Sequence, residues 1–404
     1  VGQGKGQGVV MGKGRRHSAP PGAGTSLDRS RGASRMLHRM LHHIPHSLRH
    51  TLPLPLHPTM TRLLLVALAL PLALAAQRPT QPADVRRLVY PLADDSMAGR
   101  LTGSPGEAAA ARFIAAEMQR AGLKPMGDSG YFQRVPVAAV PLATPSRSGR
   151  TERLVLLRSL ADLDTVPAGR RRPSVNVLGF IEGSDPAVKG EVVLVDAHFD
   201  HVGVGRAVDG DSIFNGADDD ASGVAAVLEI ARQLASGPRP KRTVLFAATT
   251  GEEVGLFGTR WFIEHPPVPL SQFVANLEIE MIGRPDSLAG GPGKAWLTGY
   301  ERSSMGEALA ATGLPIVPDR RPDQHFFERS DNIAFARCGI VAHTLSSFNM
   351  HTDYHQPSDD VRAMDLAHMA EVINAAAKAT RALADGPKPE WKPAGRPGAP
   401  ASRP

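Results

Sequence analysis

Residues 191–204 read EVVLVDAHFDHVGV. Four consecutive apolar residues, Val192 to Val195, leave no polar face, so a strand here must be covered on both sides. The run then ends in His198, Asp200 and a further His. An apolar strand that delivers ionisable groups at its end is how open α/β sheets place their ligands.

The rest of the chain repeats this pattern. Strands of the same character are predicted at 175–181 (VNVLGFI), 243–250 (TVLFAATT), 274–282 (VANLEIEMI) and 339–345 (GIVAHTL). Helices are predicted over 105–122, 221–236, 254–264, 302–313 and 362–384. The first opens at Pro105, aligns Phe113, Ile114 and Met118 on one face and stops at Gly122. Apolar strands alternating with helices predict an α/β fold, a three-layer αβα sandwich around one central sheet. The Pro-rich end, 386–404, is expected to be disordered, which leaves 77–385 as a single domain.

The formal charge of +6 over 404 residues invites a nucleic-acid reading, but its distribution opposes one. Residues 1–76 hold ten of the 46 basic residues and only one of the 40 acidic ones, Asp28. The remainder is slightly acidic, so no nucleic-acid partner is expected. A lone cysteine, Cys338, excludes an intramolecular disulfide framework and a four-cysteine zinc knot. Residues 60–76, MTRLLLVALALPLALAA, have the charged start, short apolar run and small-residue end of a signal peptide. The run is short for a membrane span, so export to the periplasm or medium is expected, without stable membrane insertion. The His-rich stretch 1–59 is expected to be an extension upstream of a true start at Met60.

Four further clusters carry ionisable groups. Asp218, Asp219 and Asp220 precede a helix, and three acids exceed what capping needs. A pair of divalent cations sharing a carboxylate would account for the excess. Glu252 and Glu253 follow an apolar strand, in position for one to ligate metal and the other to act as a general base. Glu278 and Glu280 share one face of an apolar strand, where burial is costly without a partner or a metal. The loop HTDYHQPSDD at 351–360 offers His351, His355 and Tyr354. In the first cluster His198 is a candidate ligand, with Asp200 placed to orient its ring.

Taken in this order, the five clusters resemble the di-zinc aminopeptidase and glutamate carboxypeptidase family of metallopeptidases. The likeness runs from about residue 90 to 384, and SMAGRLTGSPGEAAAARFIAAEM also resembles that family's amino-terminal segment. It implies the zinc exopeptidase fold, with a mixed, mostly parallel sheet, and two Zn2+ per chain. His198, supported by Asp200, and Glu280 would join the bridging Asp219 on one ion. Asp219, Glu253 and His355 would hold the other, with Asp359 completing the His-x-x-x-Asp pattern. Asp219 is selected from the triplet because it stands three before Ser222. Glu252 would be the general base, and Tyr354 would serve the developing oxyanion. Two positions depart from the pattern. Glu280 stands where the family usually has Asp, leaving Glu278 as the fallback, and Asn332 stands where many relatives have His.

The resemblance therefore implies an aminopeptidase acting on peptides; the oligomeric state is left open, with a monomer favoured. Relatives that cyclise amino-terminal glutamine also use Glu at the Glu280 position, but a single-zinc cyclase has no need of both His198 and Glu253. A non-catalytic binding ectodomain on the same scaffold would not be expected to keep the full set of ligands and the base. A serine hydrolase is excluded by the lack of Gly-x-Ser-x-Gly, and Gly203-Val204-Gly205 lacks the third glycine of a dinucleotide fingerprint.

Overall fold

Alternate residues of the 192–198 strand enter two different apolar layers. Val193, Val195 and Ala197 join one, and Val192 and Leu194 join the other. The computed structural model, which describes residues 78–144 and 151–398, shows what covers each face. Five strands form the middle of the sheet: β1 (Ser174–Ile181), β2 (Val192–His198), β3 (Thr243–Thr249), β4 (Phe273–Ile279) and β5 (Ala342–Ser346). On one face lie α1 (Pro82–Leu92), α2 (Pro105–Arg120), α3 (Gly223–Ala235) and a carboxy-terminal helix, Leu366–Asp385. The other carries two shorter helices, Phe257–Glu264 and Asn332–Arg337. The fold is the expected three-layer αβα sandwich.

Among the described residues the sheet has nine strands, ordered 124–125, β1, β3, β2, β4, β5, 295–297 and 316–318, with 132–135 added beside β1. β3, β2, β4 and β5 run parallel, β1 runs antiparallel to its neighbours, and 295–297 runs antiparallel to β5 but parallel to 316–318. The sheet is thus mixed and mostly parallel. All four parallel strands end at the same rim, so β2 delivers His198 there, and the chain beyond β3 and β4 delivers Glu252, Glu253 and Glu280.

Predicted strands agree with observed ones to within a few residues; the 105–122 helix starts at Pro105 as predicted, while the other four helix starts shift inward. The 254–264 helix begins only at Phe257, because Gly251 to Leu256 form the turn that presents the glutamates. The last helix begins at Leu366, where the Asp365 carboxylate accepts from the Ala367 and His368 N–H groups. The tail expected to be disordered is docked over its described part, to residue 398. Trp391 explains this, since its ring packs near Phe327 and His343 and its Nε1 donates to the Gly339 carbonyl at 3.0 Å. The signal segment 60–76 and the stretch 1–59 lie outside the described residues.

The segment between α1 and α2 is pinned to the sheet rim. Arg100 is completely buried and donates to the carbonyls of Leu92, Phe199, Asn215 and Gly216 at 2.6–2.8 Å. Glu107, in the first turn of α2, accepts from the Gly103 N–H at 2.6 Å, from the Ser174 hydroxyl at 2.5 Å and from the Thr250 hydroxyl. Burial pushes its carboxyl from 4.5 up to about 8, against the pull of those three donors. The folded chain therefore keeps a proton that the unfolded chain releases. The resulting stability is full below pH 4.5 and is lost as pH rises through about 8. Replacing Glu107 by Gln, which imitates the neutral acid, should remove this component. Denaturant midpoints measured from pH 5 to 8.5 should fall less steeply for the variant than for the wild type, and equal slopes would refute a neutral buried acid.

Candidate active site

β2 ends on His198, whose Nδ1 lies 3.1 Å from the Asp200 backbone carbonyl. If Nδ1 carries the proton for that bond, Nε2 presents a lone pair to the site. The Asp200 carboxylate, expected to orient the imidazole, stays 3.8 Å away from Nδ1. It accepts instead from the Thr102 hydroxyl at 2.8 Å and the Glu252 N–H at 3.0 Å. Asp200 thus supports the imidazole through its carbonyl and the glutamate turn through its side chain.

The acidic triplet divides its work. Asp218 accepts from the Gly283 N–H at 2.7 Å and faces His351 Nε2 at 2.9 Å. Asp220 accepts from the Gly223 and Met281 N–H groups at 2.9 and 3.0 Å. Both therefore brace the loop, and only Asp219 turns its carboxylate towards the imidazoles of His198 and His355. Asp219 Oδ1 is 3.1 Å from His198 Nε2, and Oδ2 is 3.0 Å from His355 Nε2. Asp359 does not touch the His355 ring. Its carboxylate takes the Asp218 and Asp219 N–H groups at 3.0–3.1 Å, because a bend carrying three acids leaves those donors otherwise unmet.

Glu253 Oε1 lies 3.0 Å from His355 Nε2, and Glu280 Oε1 lies 4.0 Å from His198 Nε2. Glu278 is not part of this group. Its oxygens accept from the Ser330 and Thr344 hydroxyls and from the Asp331 and Asn332 N–H groups at 2.5–3.0 Å, so it caps the Asn332–Arg337 helix. Asn332 is buried and donates to the Phe327 carbonyl at 3.1 Å, so it packs the rim. The Tyr354 ring stacks on His355, with 3.9 Å between centroids. One residue missing from the sequence-based set joins the cluster: His201 Nδ1 is 2.8 Å from Glu253 Oε1. Its signal was the second His of HFDH, immediately after Asp200.

Two donor groups result, His201–Asp219–Glu253–His355 and His198–Asp219–Glu280, with the donor atoms of each within 4.8 Å of one another. Imidazole nitrogens of His198, His201 and His355 approach carboxylate oxygens at 2.8–3.1 Å, yet none is aligned for a hydrogen bond. Buried polar atoms do not stay unmatched without reason. Nitrogens and oxygens that converge without pointing at one another suit a shared cation, and imidazole with carboxylate suits zinc.

The sequence matches the model of peptidase family M28 over residues 176–380, just over half of the chain. The chain belongs to peptidase family M28. It thereby carries the domain of a zinc metallopeptidase family. Its fold is shared with an aminopeptidase from Aneurinibacillus sp. strain AM-1, at 14% identity over 77% of this chain and 96% of that one, TM-score 0.53. A zinc aminopeptidase from Bacillus subtilis aligns at 16% identity over 74% and 95%, TM-score 0.52. Among curated relatives, a vacuolar membrane protease of Aspergillus clavatus is 27% identical over 228 residues, 52% of this chain and 22% of that one. The vacuolar membrane protease of Candida dubliniensis is 37% identical over 105 residues, 26% of this chain and 10% of that one. The chain thus spans between about a tenth and a fifth of the length of these relatives. Their names overturn the expectation of an exported, periplasmic or extracellular protein. No helix among the described residues is long and apolar enough to cross a membrane.

Charge in this M28 site is sharply divided. Burial alone would raise the Glu253 carboxyl, but His201 and His355 hold it down to about 2. Burial lifts Glu280 to about 8, with Glu278 adding to the effect, and lifts Glu252 well above the usual carboxylate range. Burial would lower His355, but contact with Asp219 and Glu253 raises it to about 10. The Asp359 carboxylate underlies the whole arrangement, since it fixes the backbone that aims Asp219. Replacing Asp359 by Ala should weaken zinc binding by roughly 10–100-fold, the usual effect of losing a group that orients a ligand. Competition with a chromophoric chelator would measure this, with circular dichroism confirming an intact fold. Unchanged affinity would mean that the Asp219 loop needs no such brace.

Proposed function

We propose that this domain is a two-zinc aminopeptidase. The observation that carries the reading is the convergence of two donor groups on one shared carboxylate, Asp219, with Glu252 beside them. One ion would be held by Asp219, Glu253 and His355, the other by His198, Asp219 and Glu280. Bound there, the ions would supply Lewis acidity, acidifying water and polarising a peptide carbonyl.

The chain's own groups supply the proton chemistry. Glu252 is fixed by its backbone N–H to Asp200, and its carboxylate has no hydrogen-bond partner among the described residues. It can therefore take the proton of an attacking water and return it to the leaving amine. Burial raises Tyr354 above the ordinary phenol range, so the phenol keeps its proton and can donate to a developing oxyanion. The amino terminus as the end attacked is supported by structural neighbours named aminopeptidases. Cyclisation at a single ion would leave the second donor group without a role.

The rest of the peptide has space beside the cluster. A cleft of about 1180 Å³ runs from Thr102 and Val254, neighbours of Asp200 and Glu253, to Arg153, Arg171, Arg172 and Arg206. Arg172 is paired there with Glu152 at 3.1 Å, which leaves Arg153 and Arg206 to suit acidic residues beyond the scissile bond. Replacing Arg206 by Glu should raise KM for such peptides, with little change in kcat and little effect on neutral ones; equal effects on both would remove this cleft from the substrate path. Replacing Glu252 by Gln should leave zinc content unchanged and lower kcat on aminoacyl-nitroanilides by roughly 10²–10⁴-fold. Retained turnover would show that the base lies elsewhere, and wild-type activity that survives complete metal removal would overturn the reading itself.

A further inference from the structure

His201 does work that the family resemblance leaves unassigned. It is fully buried, and neither ring nitrogen has a hydrogen-bond partner. Its Nδ1 lies 2.8 Å from Glu253 Oε1 and 3.8 Å from Asp219 Oδ2, and the ring stands nearly edge-on to His355, centroids 5.5 Å apart at 72°. A neutral imidazole braced against Glu253 would aim an N–H at that oxygen. At 2.8 Å the distance would permit such a bond, but the in-plane direction of Nδ1 misses it. His355 Nε2 does the same, 3.0 Å from Glu253 Oε1 and 3.0 Å from Asp219 Oδ2 without alignment to either. Both nitrogens and both oxygens face one common centre.

We propose that His201 is a fourth protein donor to the ion held by Asp219, Glu253 and His355, making the two metal positions unequal. The proposal rests on the metal-centre reading above. Four protein donors fill a tetrahedral zinc and close it, whereas three leave a position for water or substrate. The first position is then a tight, closed anchor. The open position belongs to the ion held by His198, Asp219 and Glu280, which is also the weaker and more exchangeable one. Glu280 belongs to that open position, its Oε1 4.0 Å from His198 Nε2.

The test follows zinc itself rather than turnover. Metal-free wild-type protein would be loaded to one and then two zinc ions per chain, with the number of imidazoles per ion read by X-ray absorption at each step. Two imidazoles on the first ion, and three shared between two ions at full loading, are expected. Replacing His201 by Asn should reduce the first ion to one imidazole. Equilibrium dialysis should find that ion on the order of 100-fold or more weaker, beyond the effect of losing a merely orienting partner. Two ions carrying one imidazole each in the wild type would overturn the role of His201 and leave the peptidase reading intact. Failure of the wild type to bind zinc at all would overturn both. The wild-type spectrum decides the matter even if the variant does not fold.

Discussion

The structure is built around the cost of burying carboxylates at one rim of its sheet. Asp196, Asp200, Asp218, Asp219, Asp220, Glu278, Asp331 and Asp359 are each at most 2% exposed. An isolated buried carboxylate is prohibitive, so each must be neutralised, captured by donors or matched by a cation. All three solutions occur. Backbone N–H groups capture Asp218, Asp220, Glu278 and Asp359. Burial, reinforced by Glu278, pushes Asp331 up to about 7 and Asp196 well above its usual value, so the layer beneath the site is held largely by protons. Asp219 takes the third solution, with the imidazoles of His198 and His355 at 3.1 and 3.0 Å from its oxygens; under the function proposed above, the cation they share with it is zinc.

This partition explains which features were legible in the sequence. The parallel strands were plain because both faces are buried and no polar residue interrupts Val192–Val195 or Val244–Ala248. The strands at 295–297 and 316–318, and the hairpin of 203–208 with 211–214, were not foreseen, being too short or too polar to show a period. A similar limit applies to the tail. A single Trp in a Pro-rich stretch changes composition very little, yet its ring and N–H are enough to dock the chain.

The site was legible as a set of chemical types more than as a set of contacts. His198, Asp219, Glu253, Glu280 and His355 stand together as the motif order implied. What motif order could not give was the division of labour within runs of identical residues. Asp218, Asp219 and Asp220 are chemically equivalent in the sequence, and the Gly283, Gly223 and Met281 N–H groups that separate their roles come from other loops. Likewise Glu278 and Glu280 share one face of the predicted strand, but β4 ends at Ile279, so Glu278 takes the Asp331 and Asn332 N–H groups while Glu280 lies past the strand end in a donor group. Asp200 differs in kind, since its supporting atom is a backbone carbonyl, which no side-chain motif encodes.

The family match begins at residue 176, but the rim it describes is held in shape by residues well before that point. Arg100 ties the carbonyl following His198 to two carbonyls just before the acidic triplet, bringing two loops that carry donor-group residues to one guanidinium. Thr102 holds the Asp200 carboxylate that fixes Glu252, and Glu107 holds Thr250 two residues before it. Three residues within an eight-residue stretch therefore set the positions of three separate loops at the sheet rim. A buried guanidinium satisfied only by carbonyls has no rotamer freedom left, so it transmits position rather than charge. The likeness of SMAGRLTGSPGE to the family's amino-terminal segment has its physical basis here: the segment is the brace against which those loops are set, and it would be constrained even though none of its side chains enters either donor group.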